Sequence, residues 1–245
     1  AALGRHSIPV RATAQGSSER NVSVIISSND AEAAILHIHN EFFDKSAVKD
    51  INLFIAGFGV VGKALVDIIA KNGDKIAART GKRLHICGLS NSRRFVLDKA
   101  GINPAEAAAR LAEGESASDE AYFQALANLT LENSIFVDCT ASSDIAYKYM
   151  NLFRRGYSVV ACNKITFSAP YKQYAAIKST ALENGSMLRY ETTVGAALPI
   201  LESISRSVNS GDEILRIEAV LSGTLNYIFS NYRGGEGGTF AEVVK

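Results

Sequence analysis

The chain has 245 residues, of which 47% are hydrophobic and 21% are charged, the composition of an ordinary globular protein. Its 26 basic and 25 acidic side chains nearly cancel, so we expect neither a nucleic-acid partner nor binding to an anionic membrane. No apolar run approaches the ~20 residues that a membrane span requires. These properties favour a cytoplasmic protein, or a plastid protein in a plant, and we expect no transit peptide within the chain.

The three cysteines, Cys87, Cys139 and Cys162, lie far apart and each is embedded in an apolar run. This placement is typical of thiols buried in strands, and it argues against a disulfide framework or a zinc site. We therefore expect a reducing environment.

The first 43 residues predict a strand within residues 6–14, a strand at 20–27 and a helix at 30–43 that Asp30 caps. A unit of this size is too small to be stable alone, so it is interpreted as the final part of a domain. The charged residues 44–50 then predict a short linker.

From Ile51 onward, apolar strands alternate with helical segments. The strands are predicted at residues 51–57, 84–90, 134–141, 157–163 and 187–193. Continuous apolar strands joined by helices indicate a parallel, doubly wound α/β sheet that is covered on both faces. Residues 213–221 instead alternate charged and apolar side chains, which predicts a half-exposed strand of a second, antiparallel sheet.

A glycine pattern follows the first of these strands and opens the next helix. Gly57, Phe58, Gly59, Val60, Val61 and Gly62 read G-x-G-x-x-G. In this position the pattern predicts a turn that binds the pyrophosphate of a dinucleotide, as in a Rossmann-type domain. The alternative is a strand-to-helix turn without a ligand.

The second strand ends in hydroxyl and basic residues rather than in an acid. Ser90, Ser92 and Arg93 stand where an NAD-preferring domain would have Asp or Glu. Hydroxyls and a guanidinium suit a 2′-phosphate, so NADP is favoured and NAD stays possible. A solvated basic turn is the alternative, above all for Arg94.

Three further segments offer polar groups at the ends of strands. Lys164 ends a strand and could orient a carbonyl or transfer a proton, or it could be a surface lysine. Glu191 and the small residues after it could bind a cation through main-chain carbonyls, or form a plain turn. Thr224, after Ser222 and Gly223, could line a pocket or belong to a turn.

Together these segments resemble the homoserine dehydrogenase family. The matching segments are GFGVVG (57–62), VDCTAS (137–142), VVACNK (159–164), ETTVGAALPI (191–200) and LSGTLNYI (221–228). They occur in the order of the family and cover about residues 50–245. The resemblance implies the NAD(P)H-dependent reduction of aspartate semialdehyde to homoserine, on the branch to threonine and methionine.

The resemblance also implies roles for individual residues. Lys164 corresponds to the active-site lysine, close to the cofactor, and Thr224 and Glu191 to the substrate pocket. The residues implied to bind a sodium-like monovalent cation are Glu191, Val194, Ala196 and Leu198. Those implied to contact the cofactor, besides the glycine pattern and Lys164, are Ser90, Ser92, Arg93, Thr140, Ala141 and Ser142.

Residues 1–43 resemble the end of the ACT regulatory region in bifunctional aspartokinase–homoserine dehydrogenases. Gln15 is then a candidate contact for an effector such as threonine, and aspartate kinase activity is expected on a preceding part. The expected domains are the ACT-like part (1–43), a linker (44–50), the Rossmann-type domain (51–195) and the start of a catalytic and dimerisation domain (196–245). The intact enzyme is expected to be a homo-oligomer.

We expect both ends of the chain to fall inside domains rather than at domain boundaries. Thr239 and Glu242 form a capping box, which predicts a helix that begins just before the chain ends at Lys245. The family's later substrate-binding Glu, and its Asp and Lys, fall beyond that point. We therefore expect a fragment that is inactive alone but retains cofactor binding. The alternatives are a non-catalytic nucleotide-sensing module and another Rossmann-type semialdehyde or amino-acid dehydrogenase.

Overall fold

The computed structural model describes residues 2–16, 21–42, 48–116, 118–129, 131–232 and 239–244. The chain divides into two compact units, Ala1–Lys49 and Asp50–Lys245. Most of the predicted linker, residues 44–47, lies outside the described residues. Within the described residues, no helix combines the length and the apolar character that crossing a membrane requires.

The first unit contains the two predicted strands and the predicted helix, in the predicted order, after a short helix that was not predicted. Its elements are α1 (Ala2–Arg5), β1 (Ala12–Gln15), β2 (Val22–Ile25) and α2 (Ala31–Phe42). β1 and β2 are antiparallel, with Ala12 opposite Ile25. Asp30 is the last residue of a 3-10 turn, Ser28–Asp30, that leads directly into α2. A small core of Leu3, Ile8 and Ala34 lies between these elements.

The second unit alternates strands and helices. Its elements are β3 (Lys49–Ala56), α3 (Val60–Thr80), β4 (Lys82–Ser90), β5 (Arg94–Leu97), α4 (Ala107–Ala112), β6 (Glu115–Ser116), α5 (Asp119–Ala127), β7 (Ser134–Asp138), α6 (Ser143–Ala146), α7 (Tyr149–Phe153), β8 (Ser158–Ala161), α8 (Tyr171–Glu183), β9 (Leu188–Arg189), α9 (Ile200–Asn209), α10 (Gly223–Asn231) and α11 (Phe240–Val244). The first strand of this unit, β3, therefore begins at Lys49, inside the segment 44–50 that was predicted as a linker.

The seven strands that the described residues of this unit form make one sheet, in the order β6-β5-β4-β3-β7-β8-β9. β7 is parallel to β3 and to β8, and β8 is parallel to β9. The predicted doubly wound α/β class is thus confirmed. The sequence did not predict β5 and β6, which are antiparallel additions at one edge. They have four and two residues, too few to show a hydrophobic period.

Both faces of the sheet are buried, which explains the continuous apolar strands. Phe54 and Ile55 are successive residues of β3, so their side chains point to opposite faces. Phe54 belongs to one core cluster with Phe136 and Val159. Ile55 belongs to the other, with residues of α3 and β4. Each such side chain contributes about 1.5–3 kcal/mol through its burial.

The predicted strand at 213–221 is not formed. Residues 212–222 have no regular secondary structure, although the alternation of charged and apolar residues is present. Leu215 and Val220 are 89% and 82% exposed. A strand needs a neighbour for its backbone groups, and none of the described strands pairs with this segment.

Candidate functional site

The glycine turn between β3 and α3 depends on two of its glycines for packing. Gly57 has a φ of 92°, and a Cβ there would lie 2.8 Å from the backbone of Cys139. A Cβ on Gly62 would overlap the carbonyl oxygen of Gly57. Both positions therefore need glycine for the fold itself, whether or not a ligand binds.

Gly59 is different, because neither its conformation nor its neighbours require glycine. Its φ is −87°, which other residues adopt, and a Cβ there would meet no atom within 4 Å. It precedes the first residue of the 21-residue helix α3, and no side chain caps that helix. The backbone N–H groups of the first turn are thus available to an anion, which the positive end of the helix dipole also favours.

Gly57, Phe58 and Gly59, directly before these N–H groups, border an open cavity of about 610 Å³ at the carboxyl ends of three strands. Its lining residues are Gly57, Phe58, Gly59, Ser90, Asn91, Ser92, Arg93, Thr140, Ala141, Ser142 and Ile145. Except for Asn91 and Ile145, all of them belong to the predicted cofactor set. Val60 and Val61 are exposed in the first turn of α3, and Gly62 is buried behind it. The cavity lies where ligands bind to open α/β sheets.

Asn91 shapes the loop at one end of this cavity. Its Oδ1 accepts hydrogen bonds from the backbone N–H groups of Arg93 and Arg94, both at 2.8 Å. The Arg94 guanidinium donates to the carbonyl of Gly114 at 2.7 Å. The Arg93 guanidinium has no hydrogen-bond or salt-bridge partner among the described residues, so it is free to meet an anion. Asn91 was not among the predicted site residues, although Asn side chains commonly accept a hydrogen bond from the backbone N–H two residues further on in a turn.

A buried carboxylate holds the loop at the other end. Asp138, the last residue of β7, is fully buried. Its Oδ1 accepts from the backbone N–H and from the hydroxyl of Thr140, both at 2.7 Å. Its Oδ2 accepts from the hydroxyl of Tyr149 at 2.6 Å and from the amide of Asn163 at 3.1 Å. Burial, followed by the nearby Asp138 charge, raises the pKa of the Tyr149 hydroxyl, which therefore stays a donor.

Asn163 extends this network to the end of β8. Its amide also donates to the carbonyl of Ser142 at 2.8 Å, and its Oδ1 accepts from the N–H of Ile165 at 3.1 Å. Neither Asp138 nor Asn163 was among the predicted site residues. The available signal was a charged residue, Asp138, at the end of the apolar run IFV.

Two thiols lie at the carboxyl ends of neighbouring strands, β7 and β8. Cys139 and Cys162 follow the last residues of β7 and β8 and are only partly buried, whereas Cys87 is buried within β4. The prediction of buried strand thiols thus holds for Cys87 alone. A hydrogen bond from the Cys139 thiol, helped by the charge of Lys164, lowers the pKa of Cys162 to about 7. The same hydrogen bond and burial raise the pKa of Cys139.

Lys164 follows Asn163 and has an exposed side chain. Its carbonyl accepts the N–H groups of Phe167 and Ser168, at 3.1 and 3.0 Å, in the turn that leads away from the sheet. The described residues that line the cavity do not include Lys164. Its catalytic and cofactor-binding roles remain predictions.

Glu191 caps a helix in this structure. Its two carboxylate oxygens accept the N–H groups of Leu201 and Glu202, each at 2.9 Å, at the start of α9. Gly195 and Ala196 both have positive φ values, 66° and 52°, and form the tight turn between. The segment thus contains the strand-to-helix turn that was the alternative expectation. Cation binding by Glu191 and by the carbonyls of Val194, Ala196 and Leu198 remains a prediction.

Thr224 lies in the first turn of α10, and the Oγ of Ser222 caps that helix by accepting the N–H of Leu225 at 3.1 Å. Gln15 is the exposed last residue of β1. Substrate binding by Thr224 and effector binding by Gln15 remain predictions.

Three sequence models of known families match the chain. The one described as homoserine dehydrogenase, NAD binding domain, matches residues 57–191, which is more than half of the chain. The one described as ACT domain matches residues 1–42, and the one described as homoserine dehydrogenase matches residues 199–245. These matches do not favour the sensing module or a different dehydrogenase family.

Curated proteins show the same similarity. The chain is 35% identical over 245 residues to bifunctional aspartokinase/homoserine dehydrogenase 2, chloroplastic, of Arabidopsis thaliana, covering 99% of this chain and 26% of that protein. It is 31% identical over 235 residues to the bifunctional aspartokinase/homoserine dehydrogenase of Haemophilus influenzae, covering 96% of this chain and 28% of that protein. The chain therefore spans about a quarter of the length of these relatives.

Among solved structures, a hyperthermophilic archaeal homoserine dehydrogenase in complex with NADPH has a TM-score of 0.64 to this chain. The match covers 80% of this chain and 60% of that one, at 23% identity. Similarity at this level of identity shows that the two share a fold.

Proposed function

The chain belongs to the homoserine dehydrogenase family, and from this we propose that it supplies the nicotinamide-dinucleotide site of a bifunctional aspartokinase–homoserine dehydrogenase. The observation that carries the proposal is Gly59, a glycine that neither the backbone nor the packing requires, at the border of the cavity. A side chain there would occupy the space that a pyrophosphate needs next to the N–H groups of α3. The reaction proposed for the whole protein is the NAD(P)H-dependent reduction of aspartate semialdehyde to homoserine.

Within this proposal, the residues of the cavity bind and orient the cofactor, which supplies a hydride when bound. The first turn of α3 would bind the pyrophosphate. Ser90, Ser92 and Arg93 would bind a 2′-phosphate, and we propose NADP as the preferred cofactor because Arg93 is free to form paired hydrogen bonds with it. NAD stays possible.

The substrate end of the site is proposed from the resemblance alone. Lys164 would stabilise the oxygen of the substrate as negative charge develops on it. Thr224 and Glu191 would belong to the substrate pocket. A sodium-like cation held mainly by carbonyls near Val194, Ala196 and Leu198 would stabilise the turn after Glu191 rather than act on the substrate.

The domain arrangement is likewise proposed, with the ACT-like part at 1–43, a linker at 44–50, the Rossmann-type domain at 51–195 and the start of the catalytic domain at 196–245. The family matches to residues 1–42, 57–191 and 199–245 support these boundaries. Threonine is the proposed effector, with Gln15 as a contact, and the whole enzyme is proposed to be a homo-oligomer. Its proposed location is the cytoplasm, or the plastid in a plant.

The test is a titration of the chain with NADPH and with NADH, followed by nicotinamide fluorescence. Arg93→Ala should weaken NADPH binding about tenfold or more, because a charge-assisted contact is worth about 1.5–3 kcal/mol, and should leave NADH binding within about twofold. The matched control is Arg94→Ala, because Arg94 carries the same group but is bonded to the carbonyl of Gly114. Wild-type protein that binds neither nucleotide would contradict the proposal.

A further inference from the structure

The order of the strands determines which part of a dinucleotide each loop would contact. β4, β3 and β7 are consecutive neighbours in the sheet, so the loops that follow them lie side by side in that order. They carry Arg93, the glycine turn and the Thr140–Ser142 loop, and all three line the same cavity. A dinucleotide with its 2′-phosphate at Arg93 and its pyrophosphate at the glycine turn would extend its nicotinamide half toward the Thr140–Ser142 loop.

Hydrogen bonds to two buried residues, Asp138 and Asn163, hold the Thr140–Ser142 loop in place. These two residues, together with Thr140 and Tyr149, form what we call the Asp138 network. Asp138 holds Thr140 through two hydrogen bonds, and Asn163 holds the carbonyl of Ser142. The same Asn163 amide donates to Asp138, so the first and last residues of the loop are tied to one buried group.

The network also reaches the turn that contains Lys164. Asn163 accepts the N–H of Ile165, which fixes the backbone on both sides of Lys164. Among the described residues, the Asp138 carboxylate accepts four hydrogen bonds, two from Thr140 and one each from Tyr149 and Asn163. A carboxylate can accept all four, whereas the NH₂ group of an amide in its place would face either the backbone N–H of Thr140 or the amide NH₂ of Asn163, and neither can accept a hydrogen bond.

We propose that Asp138 is a positioning residue for the nicotinamide half of the cofactor. It holds the Thr140–Ser142 loop and the Asn163–Ile165 turn in one arrangement, and so sets the affinity for the part of the dinucleotide beyond the pyrophosphate. This inference rests on the proposed function, since it assumes that the cavity binds a nicotinamide dinucleotide.

The experiment compares Asp138→Asn with the wild-type chain, using NADPH and adenosine 2′,5′-bisphosphate as ligands. The second ligand carries the 2′-phosphate and the adenosine but has no nicotinamide half. We expect the dissociation constant of NADPH to rise about tenfold or more, and that of the bisphosphate to stay within about threefold. Asp98→Asn is the matched control, because the Asp98 carboxylate also accepts a backbone N–H, pairs with Arg110 and does not line the cavity. It should leave both affinities unchanged.

The outcomes separate this inference from the proposed function. Wild-type protein that binds neither ligand would overturn the proposed function and this inference with it. Normal wild-type binding, with unchanged NADPH affinity in Asp138→Asn, would overturn the inference alone. Equal weakening of both ligands would also overturn it, because Asp138 would then support the whole domain rather than the nicotinamide half.

A second variant keeps the inference testable if Asp138→Asn does not fold, as judged by circular dichroism. Tyr149→Phe removes a single donor from Asp138 and preserves the shape of the side chain. It should raise the dissociation constant of NADPH about threefold or more and leave the bisphosphate unaffected. An unchanged NADPH affinity in a folded Tyr149→Phe protein would overturn the inference.

Discussion

At the residue scale, the three thiols should differ in reactivity because their surroundings differ. The pKa of Cys162 is lowered to about 7, whereas burial raises the pKa of Cys87 to about 11. Only a thiolate reacts with iodoacetamide, and its fraction grows as the pH rises through the pKa. The alkylation rate of Cys162 should therefore rise between about pH 6 and 8 and then level off. Peptide mass spectrometry over a pH series measures this, with Cys87 as the internal control. A midpoint near the ordinary thiol value of 9.0 would contradict it.

Two glycines of the turn, Gly59 and Gly62, should respond differently to substitution by alanine. Gly59→Ala should lower the free energy of unfolding by less than about 1 kcal/mol, since no neighbour meets the new methyl group, yet weaken NADPH binding about tenfold or more. Gly62→Ala should lower the free energy of unfolding by about 2 kcal/mol or more, because its Cβ would overlap the carbonyl of Gly57. Urea unfolding and nucleotide titration of the two variants check this. Unimpaired binding by Gly59→Ala would contradict it.

At the scale of elements, Glu191 connects the end of the sheet to helix α9. Its carboxylate accepts two N–H groups of the first turn of the helix, so Glu191→Ala should lower the free energy of unfolding by about 1–2 kcal/mol. The control is Glu202→Ala, which removes an exposed ion pair with Arg206 and a negative charge in the first turn of the helix, and should cost less than about 1 kcal/mol. Both are measured by urea unfolding at the same ionic strength. If the two variants lost equal stability, Glu191 would not be the cap.

The strands that are buried on both faces could be predicted from the sequence, whereas the pairing of a half-exposed segment could not. β3, β4, β7 and β8 were predicted because burial on both faces leaves a continuous apolar run in the sequence. The segment 213–221 has the alternating pattern of a strand, but its pairing depends on a neighbour that the local sequence does not contain. An alternation of charged and apolar residues indicates which side chains share a face of a strand, but it does not show that a partner strand is present.

At the scale of the whole molecule, the candidate site was predictable where it is built from consecutive residues. The glycine turn and the Ser90–Arg93 loop are local, and the structure brings both to one cavity. The Asp138 network was not predictable, because its partners Tyr149 and Asn163 lie 11 and 25 residues further along the chain. Only the packing of β7 against β8 and α7 makes those side chains neighbours.

The glycine turn has a consequence for reading related sequences. Any chain that keeps this turn must retain Gly57 and Gly62, whether or not it binds a nucleotide, because the backbone leaves no room for a side chain. Their presence in a relative is therefore informative about shape alone. Position 59 is free of that constraint, so a relative with a larger residue there could keep the fold after its ligand has been lost. Among relatives that keep the fold, the residue at position 59 therefore distinguishes chains that can still bind the ligand from chains that cannot.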